Sequence, residues 1–232
     1  MSPALRGILF DKDGTLFDYA ASWSPLNLAA ARLASAGNAG LCATLLRLGG
    51  AEPESGQAEA DSLLAAGNAA EIAEEWVRAG SPFEPGDLTA RLDRLFREGA
   101  AHMVPVTDLV ALFRRLKARD LRLGIASSDG EAAIADAAGH FGIAPFLDFI
   151  AGYDSGFGYK PGPGMARAFC EATGLEPRHA AMVGDNRHDM EMGRSAGFGL
   201  CVGVLTGTGT ARTLEPHCDL CLASIADLET VL

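Results

Sequence analysis

The chain has 232 residues, of which 48% are hydrophobic and 21% charged, and its formal net charge at pH 7 is −11. This composition is typical of a globular protein, and the length suffices for one large domain or one domain with a sizeable insertion. The negative charge and the lack of any basic run argue against a nucleic-acid-binding protein and against a protein that binds anionic membranes.

The sequence shows neither a membrane span nor a secretory leader. No apolar segment is long enough to cross a bilayer, and the first apolar stretch follows the start of the chain almost at once. The five cysteines are irregularly spaced and odd in number, which does not indicate a disulfide framework. We therefore expect a cytoplasmic protein.

The first predicted strand covers residues 5–10 and is followed by Asp-Lys-Asp-Gly-Thr at residues 11–15. If the chain stayed extended, alternation would place Asp11 and Asp13 on one side and direct Lys12 away from them. Two carboxylates this close repel each other unless a cation, a proton or solvent screens their charge. The segment predicts either a site with paired acids or an Asp-Gly turn that closes a hairpin.

Helical patterns without any strand pattern fill residues 17–99, and within them residues 58–79 predict one long helix. This region has apolar faces of its own, so we interpret it as an inserted helical domain. Residues 1–16 and 100–232 are then predicted to form a second domain together.

From residue 104 onwards, predicted strands alternate with single helices. The strands are predicted at residues 121–126, 146–150, 180–183, 199–204 and 219–222, and a last helix at 225–232. Strands separated by single helices are typical of a parallel sheet with helices on both faces. The predicted fold class is therefore α/β, with a doubly wound, Rossmann-like parallel sheet.

Polar side chains stand where several of these strands end, and in such sheets ligands bind beyond the carboxyl ends of the strands. Besides the first acidic pair, these side chains are Ser127, Ser128, Lys160, Asp185 and Asp189. Each has a structural explanation by itself: a helix N-cap, a surface lysine, or an acid in the first turn of a helix. Because all of them are predicted at one edge of the sheet, we favour a common site.

The segments that carry these residues resemble the four motifs of the haloacid dehalogenase superfamily of phosphohydrolases. The matching segments are residues 11–15, 125–128, 160–163 and 184–189, in the family's order. The resemblance covers the whole chain, and it implies a Rossmann-like core (1–16 and 100–232) with a helical cap inserted at residues 17–99.

Within the superfamily, the chain is similar to phosphoglycolate phosphatases and their β-phosphoglucomutase-like relatives. One departure concerns the second motif, which commonly reads Thr-Asn in phosphoglycolate-type enzymes and is Ser127-Ser128 here. Serine keeps the hydroxyl donor, whereas the change at Ser128 weakens any assignment of a particular substrate.

The resemblance implies a reaction on phosphate esters with Mg²⁺ as cofactor. Asp11 would be the nucleophile that forms an aspartyl-phosphate, and it would also bind the metal. Asp13 would protonate the leaving alcohol and later deprotonate the attacking water, and its backbone carbonyl would be a metal ligand. Asp185 would be the third ligand, in the oxygen environment that Mg²⁺ prefers.

The remaining motif residues would either bind the phosphoryl group or hold the binding residues in position. By the same resemblance, the Ser127 hydroxyl and the Ser128 amide would hold phosphoryl oxygens, and Lys160 would neutralise their charge. Asp189 would orient Lys160 or a water molecule at the metal site, and Thr15 is expected in a supporting position.

Particular residues disfavour several branches of the superfamily. The acid at position 13 disfavours dehalogenases and ion-pumping ATPases, and the absence of lysine from residues 17–99 disfavours phosphonoacetaldehyde hydrolase. The leading hypothesis is a Mg²⁺-dependent phosphatase. A phosphomutase is the alternative, with Arg32, Arg47 and Arg78 as candidates for a second phosphate site. A non-catalytic phosphate-binding protein is the third hypothesis.

The substrate depends on the cap, where the sequence says least. The cap is rich in Ala, Gly and Leu, which favours a small phosphorylated metabolite, such as phosphoglycolate or a sugar phosphate, over a large polyanion. Phe17, Tyr19 and Trp23 either line the entrance or, in our preferred interpretation, anchor the cap to the core. We expect a monomer or a homodimer, with no nucleic-acid or membrane partner.

Overall fold

The computed structural model describes residues 5–232, and its centre is one sheet of six parallel strands. The strands are β1 Gly7–Phe10, β2 Arg122–Ala126, β3 Phe149–Ala151, β4 Ala180–Gly184, β5 Leu200–Val204 and β6 Leu220–Leu222. They lie in the order β3-β2-β1-β4-β5-β6, so that β1 is central between β2 and β4. The predicted α/β fold with a doubly wound parallel sheet is confirmed.

Ten α-helices connect and cover the strands within the described range. They are α1 Tyr19–Ala34, α2 Ala39–Leu48, α3 Leu63–Ala66, α4 Ala69–Arg78, α5 Pro85–Gly99, α6 Leu109–Lys117, α7 Glu131–His140, α8 Gly164–Thr173, α9 Arg187–Ala196 and α10 Ala211–Leu214. Single 3₁₀ segments lie at Ala100–His102, Ala144–Phe146, Pro177–His179 and Ile225–Thr230. No helix in residues 5–232 is both long and apolar enough to span a membrane.

The predicted cap segment, residues 17–99, contains α1 to α5, and residues 1–4 of the predicted core lie outside the described part. The long helix predicted at residues 58–79 is wrong, because the chain is extended at Gly67 and a new helix begins after Asn68. Asn68 accepts a hydrogen bond from the Glu71 amide, and Glu71 accepts one from the Asn68 amide, both at 3.0 Å. This reciprocal cap separates α3 from α4.

The segment predicted as a last helix at residues 225–232 is a 3₁₀ helix over Ile225–Thr230 instead. So short a terminal segment gains little from α-helical propagation, and 3₁₀ turns are common in such places.

The central strand β1 contributes to two hydrophobic cores, one on each face of the sheet. Ile8 and Phe10 belong to the larger core, where the Phe10 ring stacks 5.3 Å from the ring of Phe113 in α6. Leu9 belongs to the other core, together with Phe169 of α8. Because successive strand side chains alternate between faces, a fully apolar strand fits a sheet that is covered on both sides.

The two connections between core and cap run side by side directly after β1. The Asp18 amide donates to the Val104 carbonyl at 2.8 Å, and the Val106 amide donates to the Leu16 carbonyl at 3.1 Å. Before them the chain turns at Gly14, whose φ of +83° lies in the region that favours glycine. The loop after β1 therefore leads straight into the predicted cap segment.

Candidate active site

The site begins where β1 ends, with a buried ion pair between Asp11 and Lys160. The Lys160 ammonium lies 2.5 Å from Asp11 Oδ1 and 2.6 Å from Asp189 Oδ1, and all three residues are less than a tenth exposed. The Asp11 amide still donates to the Val183 carbonyl at 2.8 Å, which fixes the loop to the end of β4. Lys160 is therefore not a surface lysine.

Three acids gather at this point, and their donor set fits a hard divalent cation. One carboxylate oxygen each of Asp11, Asp185 and Asp189 lies within 4.8 Å of the other two. Asp185 Oδ2 also accepts a hydrogen bond from the Thr208 amide at 2.8 Å. A Cβ at Gly207 would collide with the Asp185 carboxylate, so the loop approaches this closely only because it has glycine there.

The charges in the cluster are not balanced by the protein itself. Burial raises the pKa of Asp11 to about 7; the charge of Lys160 opposes this rise, and that of Asp189 adds to it. Burial, with the charges of Asp11 and Asp189, holds the pKa of Asp185 well above its usual range. Burial lowers the pKa of Lys160, but the two carboxylates beside it raise it by more. Three buried acids share one lysine, and oxygen ligands of this kind suit Mg²⁺.

Asp189 has two partners because of the way α9 begins. Its Oδ2 accepts a hydrogen bond from the Asn186 amide at 3.0 Å, and Asn186 Oδ1 accepts from the His188 amide at 3.0 Å. Asn186 is thus the N-cap, and Asp185 is left free to face the cluster. The alternative explanation from the sequence, in which Asp185 is only the N-cap of this helix, is therefore wrong. Asp189 is the acid of the first turn, as that explanation has it, and it is also the partner of Lys160.

Ser127 and Ser128 follow β2 and have different contacts. Ser127 is buried at the wall of the cavity, and its hydroxyl accepts a hydrogen bond from the Asp129 amide at 3.1 Å. The Ser128 hydroxyl donates to the Ala66 carbonyl of the cap at 3.0 Å. Neither serine caps α7, since Gly130 is the N-cap and the Glu131 amide donates to Asp154 Oδ1 at 2.8 Å.

Lys12 lies where the alternation of an extended strand does not place it. The prediction that it points away from Asp13 is wrong: Nζ donates to Asp13 Oδ1 at 2.8 Å and lies 3.0 Å from Asp129 Oδ2. Alternation requires extended backbone, and here the chain turns, with the Leu16 amide bonded to the Lys12 carbonyl at 2.9 Å. Burial lowers the pKa of Lys12, but the two carboxylates outweigh this and raise it.

A cavity between core and cap joins the polar residues to an apolar wall. The core contributes the three acids, Asp13, Ser127, Ser128, Lys160 and His188, among others. The cap contributes only uncharged residues to the described lining, namely Tyr19, Trp23, Leu64, Ala65, Ala66, Gly67, Ala69, Ile72 and Phe96. Sequence reasoning did not find Ile72, Phe96 or His188, because an apolar helix position or a lone histidine carries no signal of its own.

The aromatic residues after the first motif have both roles that we considered. Tyr19 lines the cavity, and its hydroxyl donates a hydrogen bond to the Leu64 carbonyl at 2.7 Å. Trp23 also lines the cavity, and its ring packs on the ring of Phe96 with 4.9 Å between ring centres. Phe17 packs against Phe141 instead, at 4.8 Å, as an anchor of the hinge. Thr15 is fully buried, and its hydroxyl has no hydrogen-bond partner among residues 5–232.

With this geometry, comparison with known proteins is informative. A model of the haloacid dehalogenase-like hydrolase family matches residues 5–197. The chain belongs to this family. The resemblance read from the four motifs is thereby confirmed, and all four lie within the matched residues.

Individual relatives of this haloacid dehalogenase-like hydrolase agree with the family. The chain is 28% identical to a phosphoglycolate phosphatase of Yersinia pseudotuberculosis over 232 residues, which cover 97% of this chain and 92% of the relative. Such relatives and the family together identify an enzyme of the phosphatase type.

Solved structures of other family members show the same fold. A predicted phosphoglycolate phosphatase from Haemophilus somnus superposes with a TM-score of 0.71 at 18% identity, covering 98% of this chain and 97% of that one. A putative β-phosphoglucomutase from Thermotoga maritima superposes with a TM-score of 0.68 at 16% identity, covering 98% of this chain and 100% of that one.

The three arginines considered for a second phosphate site lie elsewhere in this haloacid dehalogenase-like hydrolase. Arg32, Arg47 and Arg78 are exposed, and none of them belongs to the described lining of the cavity. Arg78 forms ion pairs with Glu74 and Glu75 on its own helix. Arg78 does line an adjoining cavity that shares Lys160 and His188 with this one, but there it is already paired with the two glutamates.

Proposed function

We propose that this enzyme is a Mg²⁺-dependent phosphatase that hydrolyses a small phosphate monoester through an aspartyl-phosphate on Asp11. The observation that supports it most is the position of Asp11. Its carboxylate lies at the end of the central strand, paired with Lys160 and beside Asp185, in a cavity whose wall includes Ser127. A nucleophile, a cation for phosphoryl oxygens and a set of metal ligands thus face one small space.

The metal site would consist of Asp11, Asp185 and the backbone carbonyl of Asp13, and Asp189 lies close enough to assist. A bound Mg²⁺ would offset the repulsion between the Asp11 carboxylate and the phosphoryl oxygens, which otherwise opposes attack. The raised pKa values of Asp11 and Asp185 support this assignment, since they reflect buried acids without enough positive charge around them.

The reaction then needs two displacements at phosphorus. In the first, a bond forms between an Asp11 oxygen and phosphorus, the bond to the ester oxygen breaks, and Asp13 gives its proton to the leaving alcohol. In the second, Asp13 takes a proton from the water that attacks phosphorus, which releases phosphate and regenerates the Asp11 carboxylate. Lys160 and the Ser127 hydroxyl hold the phosphoryl oxygens through both steps.

The substrate is proposed to be small, with a leaving group that carries no second phosphate group. The cap side of the cavity is apolar and uncharged, with Leu64, Ile72 and Phe96 opposite the acids. A second phosphate group there would be buried without a cation, which is costly. Phosphoglycolate, named by the relatives, and small sugar phosphates are the candidates to test first.

Phosphate release from a panel of small phosphate esters tests the function. We expect turnover with Mg²⁺, loss of turnover with EDTA and recovery when Mg²⁺ is added back. Asp11→Asn is expected to lower kcat by at least about a thousandfold with unchanged folding. The matched control is Asp120→Asn. Asp120 is exposed and lies just before the start of β2, at the edge of the sheet away from the cavity, so this variant should keep full activity.

Three outcomes would contradict the proposal. Turnover that persists in EDTA would exclude the metal-dependent mechanism, and an active Asp11→Asn enzyme would exclude the nucleophile. Failure to release phosphate from any ester of the panel would exclude the function itself. Formation of an isomerised sugar phosphate, with no phosphate released, would instead identify a phosphomutase.

A further inference from the structure

Lys12 is a buried cation beside the reacting groups that the proposed reaction does not use. It is 0% exposed, and it is not among the residues that line the cavity, so it cannot touch the substrate there. A buried ammonium is costly unless its donors are satisfied, so its partners indicate why it is there. One of them is Asp13, the proposed acid and base.

The contacts of Lys12 fix its ammonium in one place. It donates to Asp13 Oδ1 at 2.8 Å and to the Met103 sulfur at 3.5 Å, and it lies 3.0 Å from Asp129 Oδ2. Its Nζ is also 5.6 Å from the centre of the Trp23 ring. Of the three donors of the ammonium, two are thus used by Asp13 and the Met103 sulfur, and Asp129 holds the charge from the other side as an ion pair.

Asp129 is itself held rigidly, which makes it an anchor for the lysine. Its Oδ1 accepts from the Gly130 amide at 2.9 Å, and its own amide donates to the Ser127 hydroxyl at 3.1 Å. Lys12 therefore connects the loop that carries Asp13 to the loop that carries the phosphate-binding serine. Trp23 and Met103, from the cap and its hinge, lie over the connection.

We infer that Lys12 is a positioning residue: anchored by Asp129, it holds the Asp13 carboxyl group in the orientation from which the proton reaches the leaving oxygen. The inference rests on the proposed function. Of the events in the first displacement, formation of the Asp11–phosphorus bond and cleavage of the ester bond do not need this orientation. Transfer of the Asp13 proton to the ester oxygen does.

The leaving group separates this role from a merely structural one. Ethanol leaves only with a proton, whereas acetate leaves from acetyl phosphate as a stable anion, because its conjugate acid has the pKa of an ordinary carboxyl group. Both substrates are small enough for the same cavity. Loss of a positioning residue for the acid should harm ethyl phosphate much more than acetyl phosphate.

The experiment compares kcat/KM for these two substrates in the Mg²⁺-loaded enzyme and its Lys12→Met variant. We expect the ratio of ethyl to acetyl phosphate to fall about tenfold or more, within the range that general acid catalysis supplies. The ratio does not depend on the fraction of folded enzyme. Lys117→Met is the matched control, since Lys117 pairs with Asp148 outside the cavity, and it should leave the ratio unchanged.

Two further variants keep the test decisive. Asp129→Asn leaves Lys12 paired with Asp13 but weakens the anchor, so the ratio should fall in the same direction by a smaller factor. In an Asp13→Asn background, Lys12→Met should change the ratio no further, because the proton donor is already missing. A crystal structure of Lys12→Met should show the Asp13 carboxyl group in a different rotamer.

An equal loss on both substrates, or no loss, would overturn the inference while leaving the proposed function in place. A further fall of the ratio in the Asp13→Asn background would overturn it as well, since Lys12 would then act without Asp13. A wild-type enzyme that releases phosphate from neither substrate nor any other ester would overturn the proposed function, and the inference with it.

Discussion

Two buried lysines, Lys12 and Lys160, each lie between two aspartates near the end of β1. Lys160 lies between Asp11 and Asp189 and lines the cavity. Lys12 pairs with Asp13 and Asp129, which line the cavity, but Lys12 itself does not. Each cluster thus consists of one lysine and two aspartates, and the clusters differ in the further groups around the lysine.

The two clusters differ in the number of acids around the lysine and in whether the lysine can contact a ligand in the cavity. A third acid, Asp185, joins the two acids beside Lys160, whereas Lys12 lies between two acids, Asp13 and Asp129. Burial raises the pKa of an acid in each cluster, Asp11 in one and Asp129 in the other, so the raised values do not distinguish them. The Lys12 ammonium itself lies against Trp23 and Met103 and does not line the cavity. In the proposed mechanism, Lys160 holds phosphoryl oxygens because it lines the cavity beside three acids, whereas the enclosed Lys12 holds the Asp13 carboxyl group in place.

The third lysine of the chain extends the comparison. Lys117 pairs with Asp148 at 2.7 Å near the surface, with 30% of its side chain exposed. Since the chain has only these three lysines, each can be replaced by methionine and compared with the others.

The largest effect is expected for Lys160→Met. It leaves Asp11 and Asp189 buried without their cation, which we expect to cost on the order of 3 kcal/mol in the free energy of unfolding measured without metal. Turnover should fall equally for ethyl and acetyl phosphate, because the phosphoryl group is the same in both. A selective loss on ethyl phosphate would contradict the distinction between the two clusters. Denaturant titration and steady-state kinetics measure the two effects.

Metal binding should distinguish the clusters next. At Mg²⁺ concentrations about a hundredfold above Kd, the wild-type protein should gain about 2.7 kcal/mol, seen as a rise of several degrees in Tm. Asp185→Asn should lose most of this rise, and without metal it should be at least as stable as wild type, because repulsion in the cluster is relieved. Asp129→Asn is the control and should keep the rise. An equal loss in both variants would place the metal elsewhere.

A smaller effect is expected where the core touches the cap. Ser128→Ala removes the hydrogen bond to the Ala66 carbonyl, worth about 1 kcal/mol, and should raise KM about fivefold with little change in kcat. Thr89→Ala is the control, since its hydroxyl bonds only the Pro85 carbonyl within α5. A fall in kcat without a change in KM would show that Ser128 acts on the reaction and not on cap closure.

A loss of stability of similar size, without any effect on turnover, is expected for the half-buried pair of Lys117 and Asp148. Burial by itself would raise the pKa of Asp148, but hydrogen bonds from Lys117, the Leu123 amide and Arg122 lower it below the ordinary 3.8. Its stabilisation is thus present above pH 3.8 and disappears as the pH falls through the lowered value. Asp148→Asn should cost about 1 kcal/mol at pH 7.

Chemical denaturation of wild type and Asp148→Asn across pH measures this difference. The two curves should converge in acid, and kcat/KM should be unchanged at every pH where both are folded. A difference that grows as the pH falls would contradict the sign derived for Asp148.

Much of the site could be predicted from the order of strands and helices. An alternation of single helices with apolar strands predicts a parallel sheet, and parallel strands present their carboxyl ends at one edge. Polar residues in the loops and the first helical turns that follow the strands then gather at this edge, which is why Asp11 and Lys160 lie beside Asp185 and Asp189 although they are distant in sequence. The sequence by itself determined the fold class and this polar cluster.

Packing between cap and core decided the rest. The sequence could not show that the helix at residues 58–79 breaks at Gly67, or that Ile72 and Phe96 form the apolar wall, because both depend on how the cap lies over the core. It misplaced Lys12 for a related reason. Strand alternation ends with β1 at Phe10, and in the turn that follows, the direction of a side chain is set by partners distant in sequence, here Asp129 and Met103.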